Sequence, residues 1–316
     1  MDAIAHYLNS TGLKFYGSGK GDRMGQDLSL GLSQRLSQVR IVLLEPAGPL
    51  NVGSVARVMK NMGLSRLVLV NPQCDPLGEA ARLMAVHAAD VLEGAQRVAT
   101  LADALQGCLR AVATTGRDRA LPNTALESPR SCLPWLLTSM STSTSTDSPP
   151  PSALIFGRED RGLNNEELNY AQRFLRIPSH PDYPSLNLAQ AVAVCCYELY
   201  EAAQQAGAIA AKTAAVDEPG QSYLLPSGST SSMVSVFEPP ATLDRVEGYY
   251  QQLEAMLLQI GYLYPHTASS RMEKFRRLFN RAYLTEPEVA MLRGILTQMK
   301  WALQQARLNN ADSHPR

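Results

Sequence analysis

An excess of charge of either sign is missing from this 316-residue chain, in which 29 lysines and arginines stand against 29 aspartates and glutamates. Binding of a polyanion through overall basicity is therefore excluded, and any nucleic-acid surface must be a local patch. Long apolar runs are missing as well: no stretch reaches the roughly 20 residues that a membrane-spanning helix needs. The first residues hold no apolar signal core and Asp2 argues against a transit peptide, so a cytoplasmic protein is expected. Cys74, Cys108, Cys132, Cys195 and Cys196 show no C-x-x-C spacing, which points to reduced thiols and away from disulfides or a zinc site. Also lacking are G-x-G-x-x-G, Walker A, G-x-S-x-G and paired metal-binding histidines. Their absence weighs against dinucleotide, nucleotide-hydrolysing, serine-hydrolase and metal-dependent chemistry.

What is present suits an α/β protein. With 45% apolar and 18% charged residues the chain can bury a sizeable core, and its length favours two domains over one. Residues 1–38 are polar and Gly-punctuated and read as a flexible arm. IVLLE (41–45) stops at Pro46 and Gly48 as a buried parallel strand does. Val52, Val55, Ala56, Met59 and Met62 then share one helical face, Gly63 suits the cap, and RLVLV (66–70) is the next strand. A helical region near 76–93, a short helix around 101–107 and strands at 110–115, 153–157 and 174–177 continue the alternation to residue 205. The Ser/Thr/Pro-rich segment 141–152 is read as an exposed insertion, 206–241 as a linker, 242–305 as three helices and 306–316 as a tail.

IPSHPDYPSLNLAQAVAVCCYELY (177–200) organises the α/β part. Pro178, Pro181 and Pro184 stiffen a loop, and a helix expected from near Ser185 buries Leu188, Val192, Cys195, Cys196 and Leu199. Ser185 and Asn187 stand at its start, where free N–H groups favour an anionic ligand; an ordinary capped core helix accounts for the same residues. Asn51 to Arg57 reads N-x-G-x-x-x-R, in which Asn51 can cap a helix and Gly53 permits close approach of a chain or ligand. Arg57, on an otherwise apolar helix, needs an acidic or phosphate partner, so a site role and a structural ion pair are equally open. Thr114, Thr115 and Gly116 follow a strand at the end where α/β sheets collect ligands, and turn chemistry explains them too. GREDRG (157–162) holds more charge than a plain turn requires.

In the C-terminal part, Leu243, Val246, Tyr250, Leu253, Leu257 and Ile260 form an apolar stripe closed by Gly261. Met272, Phe275, Phe279 and Ala282 face one way in the next helix. Arg271, Lys274, Arg277 and Arg281 gather on another face, with Glu273 alone to offset them. At zero net charge, a basic stripe interleaved with aromatics favours phosphate binding over a merely solvated surface.

Taken together and in order, EPAGPLNVGSVARVMKNMG, LIFGREDRGLNNEEL and IPSHPDYPSLNLAQAVAVCCYEL resemble the three signature motifs of the SpoU branch of the SPOUT RNA methyltransferases. RMEKFRRLFNRAYLTEPEVAMLRGIL resembles the C-terminal extension of the TrmJ family, which 2'-O-methylates the anticodon-loop pyrimidine at tRNA position 32. The resemblance covers about 39–205 and 242–300. It implies a parallel α/β sheet with a C-terminal trefoil knot, a small helical extension that recruits tRNA, a homodimer through the knotted domain, and S-adenosylmethionine as cofactor, with neither membrane nor metal. By motif, Thr114, Thr115, Gly116, Gly157, Ile177, Pro184, Ser185 and Leu186 fall where the family binds cofactor. Asn51, Arg57, Glu159, Ser185 and Asn187 fall where it places functional polar residues. Pro184 replaces a serine common in related loops, so contact there would run through backbone or ring.

Such a reaction needs a ribose 2'-hydroxyl aligned with an electrophilic methyl and a route for one proton. A guanidinium is a poor proton acceptor. On this reading Arg57 fixes the reacting phosphate, Ser185, water or a phosphate oxygen relays the proton, and Asn51 steadies the arrangement, while Glu159 and Asn187 order the loops. Arg57, Arg271, Lys274, Arg277 and Arg281 would meet RNA. Three alternatives stay open: a SpoU-type enzyme acting on another tRNA or rRNA site, a catalytically idle RNA-binding relative, and a dinucleotide-dependent oxidoreductase. The idle relative predicts loss of Arg57, Ser185 and Asn187, all present here, and the oxidoreductase lacks its glycine fingerprint.

Overall fold

The computed structural model describes residues 35–116, 125–138, 150–216 and 238–312, without the side chains of 209–216 and 307–312. Residues 1–34 of the expected arm, 141–149 of the expected insertion and 217–237 of the expected linker lie outside the described residues.

Strands β1 (Val39–Leu44), β2 (Arg66–Val70), β3 (Gln96–Val98), β4 (Arg110–Thr114), β5 (Leu126–Glu127), β6 (Ser152–Phe156) and β7 (Arg173–Leu175) form one sheet in the order β3-β2-β1-β6-β4-β7-β5. Every pairing is parallel. Both faces are covered. Ile41, Leu43, Leu67, Leu69, Leu154 and Phe156 pack into one core, and Val42, Leu44, Val68, Val70, Ala153 and Ile155 into the other. That is why these strands read as continuous apolar runs, without alternation.

The helices of this domain are α1 (Pro49–Asn61), α2 (Glu79–Ala85), α3 (Ala89–Glu93), α4 (Leu101–Ala104), α5 (Pro129–Cys132), α6 (Pro134–Leu137), α7 (Asn165–Leu168) and α8 (Leu188–Val216). Helix α1 packs on α2, α3 and α8 beneath the first core, burying Val52, Val55, Ala56 and Met59. Gly63 takes a φ of +70° and lets the chain leave α1 for β2. The helical region expected near 76–93 is broken in two at Val86, whose φ of 54° is incompatible with continuing a right-handed helix. Helix α8 starts at Leu188, after Ser185, and runs to Val216, so the stretch read as a linker begins as helix.

Helices α9 (Leu243–Gln259), α10 (Ala268–Asn280) and α11 (Glu286–Asp312) make a third core around Tyr249, Tyr250, Leu253, Met256, Met272 and Val289. Ile260 and Ala282, expected on its apolar faces, are exposed; both stand at or past a helix end, where the facing direction changes. This unit docks on the sheet domain. The Leu243 amide donates to the Cys108 carbonyl at 2.8 Å, the Gly107 amide donates to Asp244 Oδ1 at 2.9 Å, and Trp135 meets Tyr283 at 6.2 Å between ring centroids. Among the described residues no helix is long and apolar enough to cross a membrane.

Gly53 shows what its motif position demands. A Cβ there would stand 2.1 Å from the Ala81 carbonyl oxygen and 2.9 Å from Met84 Cβ, so the close approach is that of α1 to α2. Gly53→Ala should therefore force these helices apart and lower stability by about 1–3 kcal/mol. Denaturant unfolding of the two proteins measures this, and equal midpoints would contradict the close packing.

Candidate active site

The polar core of the site is a chain of hydrogen bonds across three loops. Helix α1 starts at Pro49 with Gly48 in the capping position and no side-chain cap of its own. Asn51 was expected there, but it lies within the first turn. The cap is supplied from β6's end. Glu159 accepts from the Ala47 and Gly48 amides, both at 3.0 Å, and from Asn51 Nδ2 at 3.1 Å. A carboxylate only accepts, so Asn51 must turn its amide nitrogen to Glu159 and its oxygen outward. That oxygen accepts from Asn187 Nδ2 at 2.9 Å. Asn187 Oδ1 in turn accepts from the Ala189 amide at 2.9 Å, capping α8, while Gln190 Oε1 accepts from the Asn187 amide.

Burial pushes the Glu159 carboxyl up, but the bonds from Ala47, Asn51 and Gly48 outweigh it and hold the group below its ordinary range. It is ionised near neutral pH. Its accepted bonds tie the turn after β6 to the start of α1. A second network, not foreseen residue by residue, closes the same turn from the other side. Arg161 donates to Glu167 at 2.9 and 2.8 Å and to Glu45 at 3.1 Å, and Arg158 lies 3.7 Å from Glu45. The surplus charge of GREDRG was its signal. Asn164 and Glu167 complete a reciprocal capping box on α7, as their spacing predicts.

The turn after β6, the Pro-rich loop before α8 and the turn after β4 wall a cavity of about 880 Å³ at the C-terminal ends of β4, β6 and β7. Thr114, Thr115, Gly116, Gly157, Glu159, Ile177, Pro184, Ser185 and Leu186 all line it, so the structure gathers every residue expected around a cofactor. Thr114 Oγ1 donates to the Ile155 carbonyl, which fixes β4 against β6, and the Ser179 hydroxyl donates to the Pro184 carbonyl. A side chain at Gly157 would collide with the Gly162 carbonyl carbon at 2.2 Å, so the charged turn folds back on its own origin only because Gly157 lacks one. At Gly116 a Cβ would meet no atom of the described residues within 4 Å. Apolar Leu175, Ile177, Leu188 and Ala191 beside Thr115, Asn164 and Asn165 give the mixed wall that suits a nucleoside-sized ligand.

Asn51, Asn187 and Arg57 do not line the cavity, and of these Arg57 stands outside the hydrogen-bonded chain as well. It is exposed on α1, outside the cavity lining, and makes no hydrogen bond or ion pair among the described residues. The structural ion pair left open by the sequence is not what holds it. On α10 Arg271 and Lys274 are exposed, as is Arg281 just beyond it, whereas Arg277 pairs with Glu273 one turn before it. Sequence reasoning missed Arg276. It turns inward to Glu247, with its guanidinium 4.6 Å from the Tyr250 ring centroid and 5.6 Å from that of Tyr170.

The sequence pattern of the SpoU rRNA methylase family matches residues 38–197, and that of the tRNA methyltransferase TrmJ C-terminal domain matches residues 244–311. Over 278 residues the chain is 40% identical to the tRNA (cytidine/uridine-2'-O-)-methyltransferase TrmJ of Escherichia coli strain K12, covering 88% of this chain and 100% of that one. The chain belongs to the SpoU methylase family. It is also 38% identical to the tRNA (cytidine/uridine/adenosine-2'-O-)-methyltransferase TrmJ of Pseudomonas aeruginosa strain UCBPP-PA14, over 83% of this chain and 94% of that one. The crystal structure of TrmJ from Z. mobilis ZM4 matches 83% of this chain and 98% of its own, with a TM-score of 0.64 at 27% identity. The parallel sheet with a helical C-terminal extension is thus the fold of this SpoU methylase and its relatives.

The depressed Glu159 carboxyl gives a pH signature for the clamp. Its folded pKa lies below its unfolded value of about 4.3, so its stabilisation is complete above that value and is lost as pH falls through the folded one. Glu159→Gln, which sets an amide against N–H donors, should be less stable than the parent at pH 7, and the gap should narrow as pH falls from about 4.3 through the lower folded pKa. Chemical denaturation at several pH values reads this; a gap independent of pH would show that the charge of Glu159 is not what binds the loops.

Proposed function

We propose that this chain is an S-adenosylmethionine-dependent tRNA (ribose-2'-O)-methyltransferase acting on the anticodon-loop pyrimidine at position 32. The observation that carries the reading is the cavity itself. The second and third motif loops that resemble the family's line one nucleoside-sized hollow together with the Thr114–Gly116 turn, the first motif being tied to them through Glu159, and the walls pair an apolar side with backbone and hydroxyl groups. The TrmJ-like C-terminal helices favour tRNA over rRNA as substrate. S-adenosylmethionine supplies, when bound, a methyl group made electrophilic by a sulfonium.

The protein's part is alignment. The Glu159–Asn51–Asn187 chain holds the cavity's loops at fixed separation, so little reorganisation remains when the ribose arrives. Ser185, exposed at the cavity edge, is placed to take or pass the 2'-hydroxyl proton together with water or a phosphate oxygen. Arg57, exposed and with no hydrogen-bond or ion-pair partner among the described residues, is available for the phosphate beside the reacting ribose. We further infer a cytoplasmic homodimer joined through a knotted catalytic domain. Exposed Leu50, Leu186, Val194 and Tyr197, on α1, the Pro-rich loop and α8, support it as apolar surface on elements that pack together.

Incubation with tRNA and S-adenosylmethionine, followed by mapping of 2'-O-methylation, tests the activity and its position directly. Thermal shift should show stabilisation by S-adenosylmethionine or S-adenosylhomocysteine and none by NAD; the reverse would favour the oxidoreductase. Arg57→Ala should reduce methyl transfer by about a hundredfold or more while leaving S-adenosylhomocysteine affinity intact. Equal loss of cofactor affinity would move Arg57 out of the RNA-facing role. Light scattering of the full chain should give twice the monomer mass, and a monomer would contradict the dimer.

A further inference from the structure

The loop between α9 and α10 displays more aromatic surface than packing requires. Tyr262 and Tyr264 are 54% and 56% exposed, although the loop that carries them is tightly held. The amides of Tyr262 and Leu263 both donate to the Leu257 carbonyl at 3.0 Å, Leu263 is buried, and Gly261 takes a φ of +77° to make the turn. The Tyr264 ring is backed by His266, with centroids 6.0 Å apart and planes 23° from parallel. Tyr262 rests edge-on against Phe275 and lies 5.9 Å below the Arg271 guanidinium, which also donates to the Tyr262 carbonyl at 3.2 Å.

Two neighbours identify what such a surface would hold. Arg271 and Lys274 bring exposed positive charge to the first turns of α10. Ser269, two residues before Arg271, donates to Glu166 Oε1 at 3.2 Å, and Glu166 lines the cavity. Rigid exposed rings beside cations, next to a nucleoside-sized hollow, match the chemistry of an unstacked base on a phosphate backbone.

We propose that Tyr264 backed by His266, with Tyr262 and Arg271 beside it, is a stacking platform for an unpaired nucleobase of the RNA substrate at the mouth of the cavity. The proposal rests on the functional reading above and adds the residues that grip the RNA there. Stacking is insensitive to salt whereas phosphate contacts release counterions, so the two contributions separate in a salt series.

Binding of a tRNA transcript to the full-length protein should be measured from low to moderate salt for the parent, Tyr264→Ala, Tyr264→Phe and Arg271→Gln, with unfolding midpoints alongside. Tyr264→Ala should weaken binding about tenfold at every salt concentration with an unchanged log–log slope, and Tyr264→Phe should restore it. Arg271→Gln should reduce the slope by about one. A parent that binds tRNA with Tyr264→Ala indistinguishable from it overturns the platform alone. A parent that does not bind tRNA overturns the functional reading and the platform together. Should Tyr264→Ala instead convert a dimer to a monomer by light scattering, the loop is a contact between copies and the platform is overturned.

Discussion

The site depends on one carboxylate. Glu159 stands at the N-terminus of α1, where the helix dipole favours a negative charge, and it accepts from the Ala47 and Gly48 amides of the turn that leads into the helix. Because it also fixes which way Asn51 turns, it determines that Asn51 offers an oxygen to Asn187, and so fixes the start of α8. Residues more than a hundred positions apart are thereby set within single hydrogen bonds of one another. The Arg161–Glu45–Glu167 network holds the far side of the same turn, and Gly157 lets the turn close. The cavity is the space these restraints leave.

A second set of interactions decides where the helical extension meets that cavity. The guanidiniums of Arg110 and Arg173 both lie over the Trp135 ring, at 5.0 and 4.9 Å from its centroid, and the ring also meets Tyr283. Arg276, half-buried against Glu247, leans on Tyr170 of the sheet domain and Tyr250 of α9 at once. A buried guanidinium is tolerable only with such a partner. The basic helix is consequently divided. Arg276 holds the helix in place, while Arg271, Lys274 and Arg281 remain outward, and at the start of the helix Ser269 bonds Glu166 of the cavity wall.

Local chemistry was legible from the chain alone. Apolar runs bounded by Pro and Gly marked β1, β2, β4 and β6, because a parallel strand is buried on both faces and needs no alternation. Helical periodicity marked α1, α8 and α9, and Gly63 and Gly261 take the positive φ that a cap at their positions requires. The order of three motifs and a C-terminal segment was enough to indicate the family, and the cofactor-side residues indicated by those motifs do meet at one cavity.

Only the tertiary structure decided the rest. That β6 enters between β1 and β4, that Gly53 serves the approach of α2, and that Glu159 caps α1 are consequences of pairings between distant segments, on which local spacing is silent. Likewise the sequence shows five basic side chains on and just beyond α10 with no sign of which are spent internally. Folding assigned Arg276 to Glu247 and Arg277 to Glu273 and left the others outward. A side chain's type is written in the sequence, but whether its charge or hydrogen bond is available to a substrate depends on which partner the folded chain brings within about 3 Å of it.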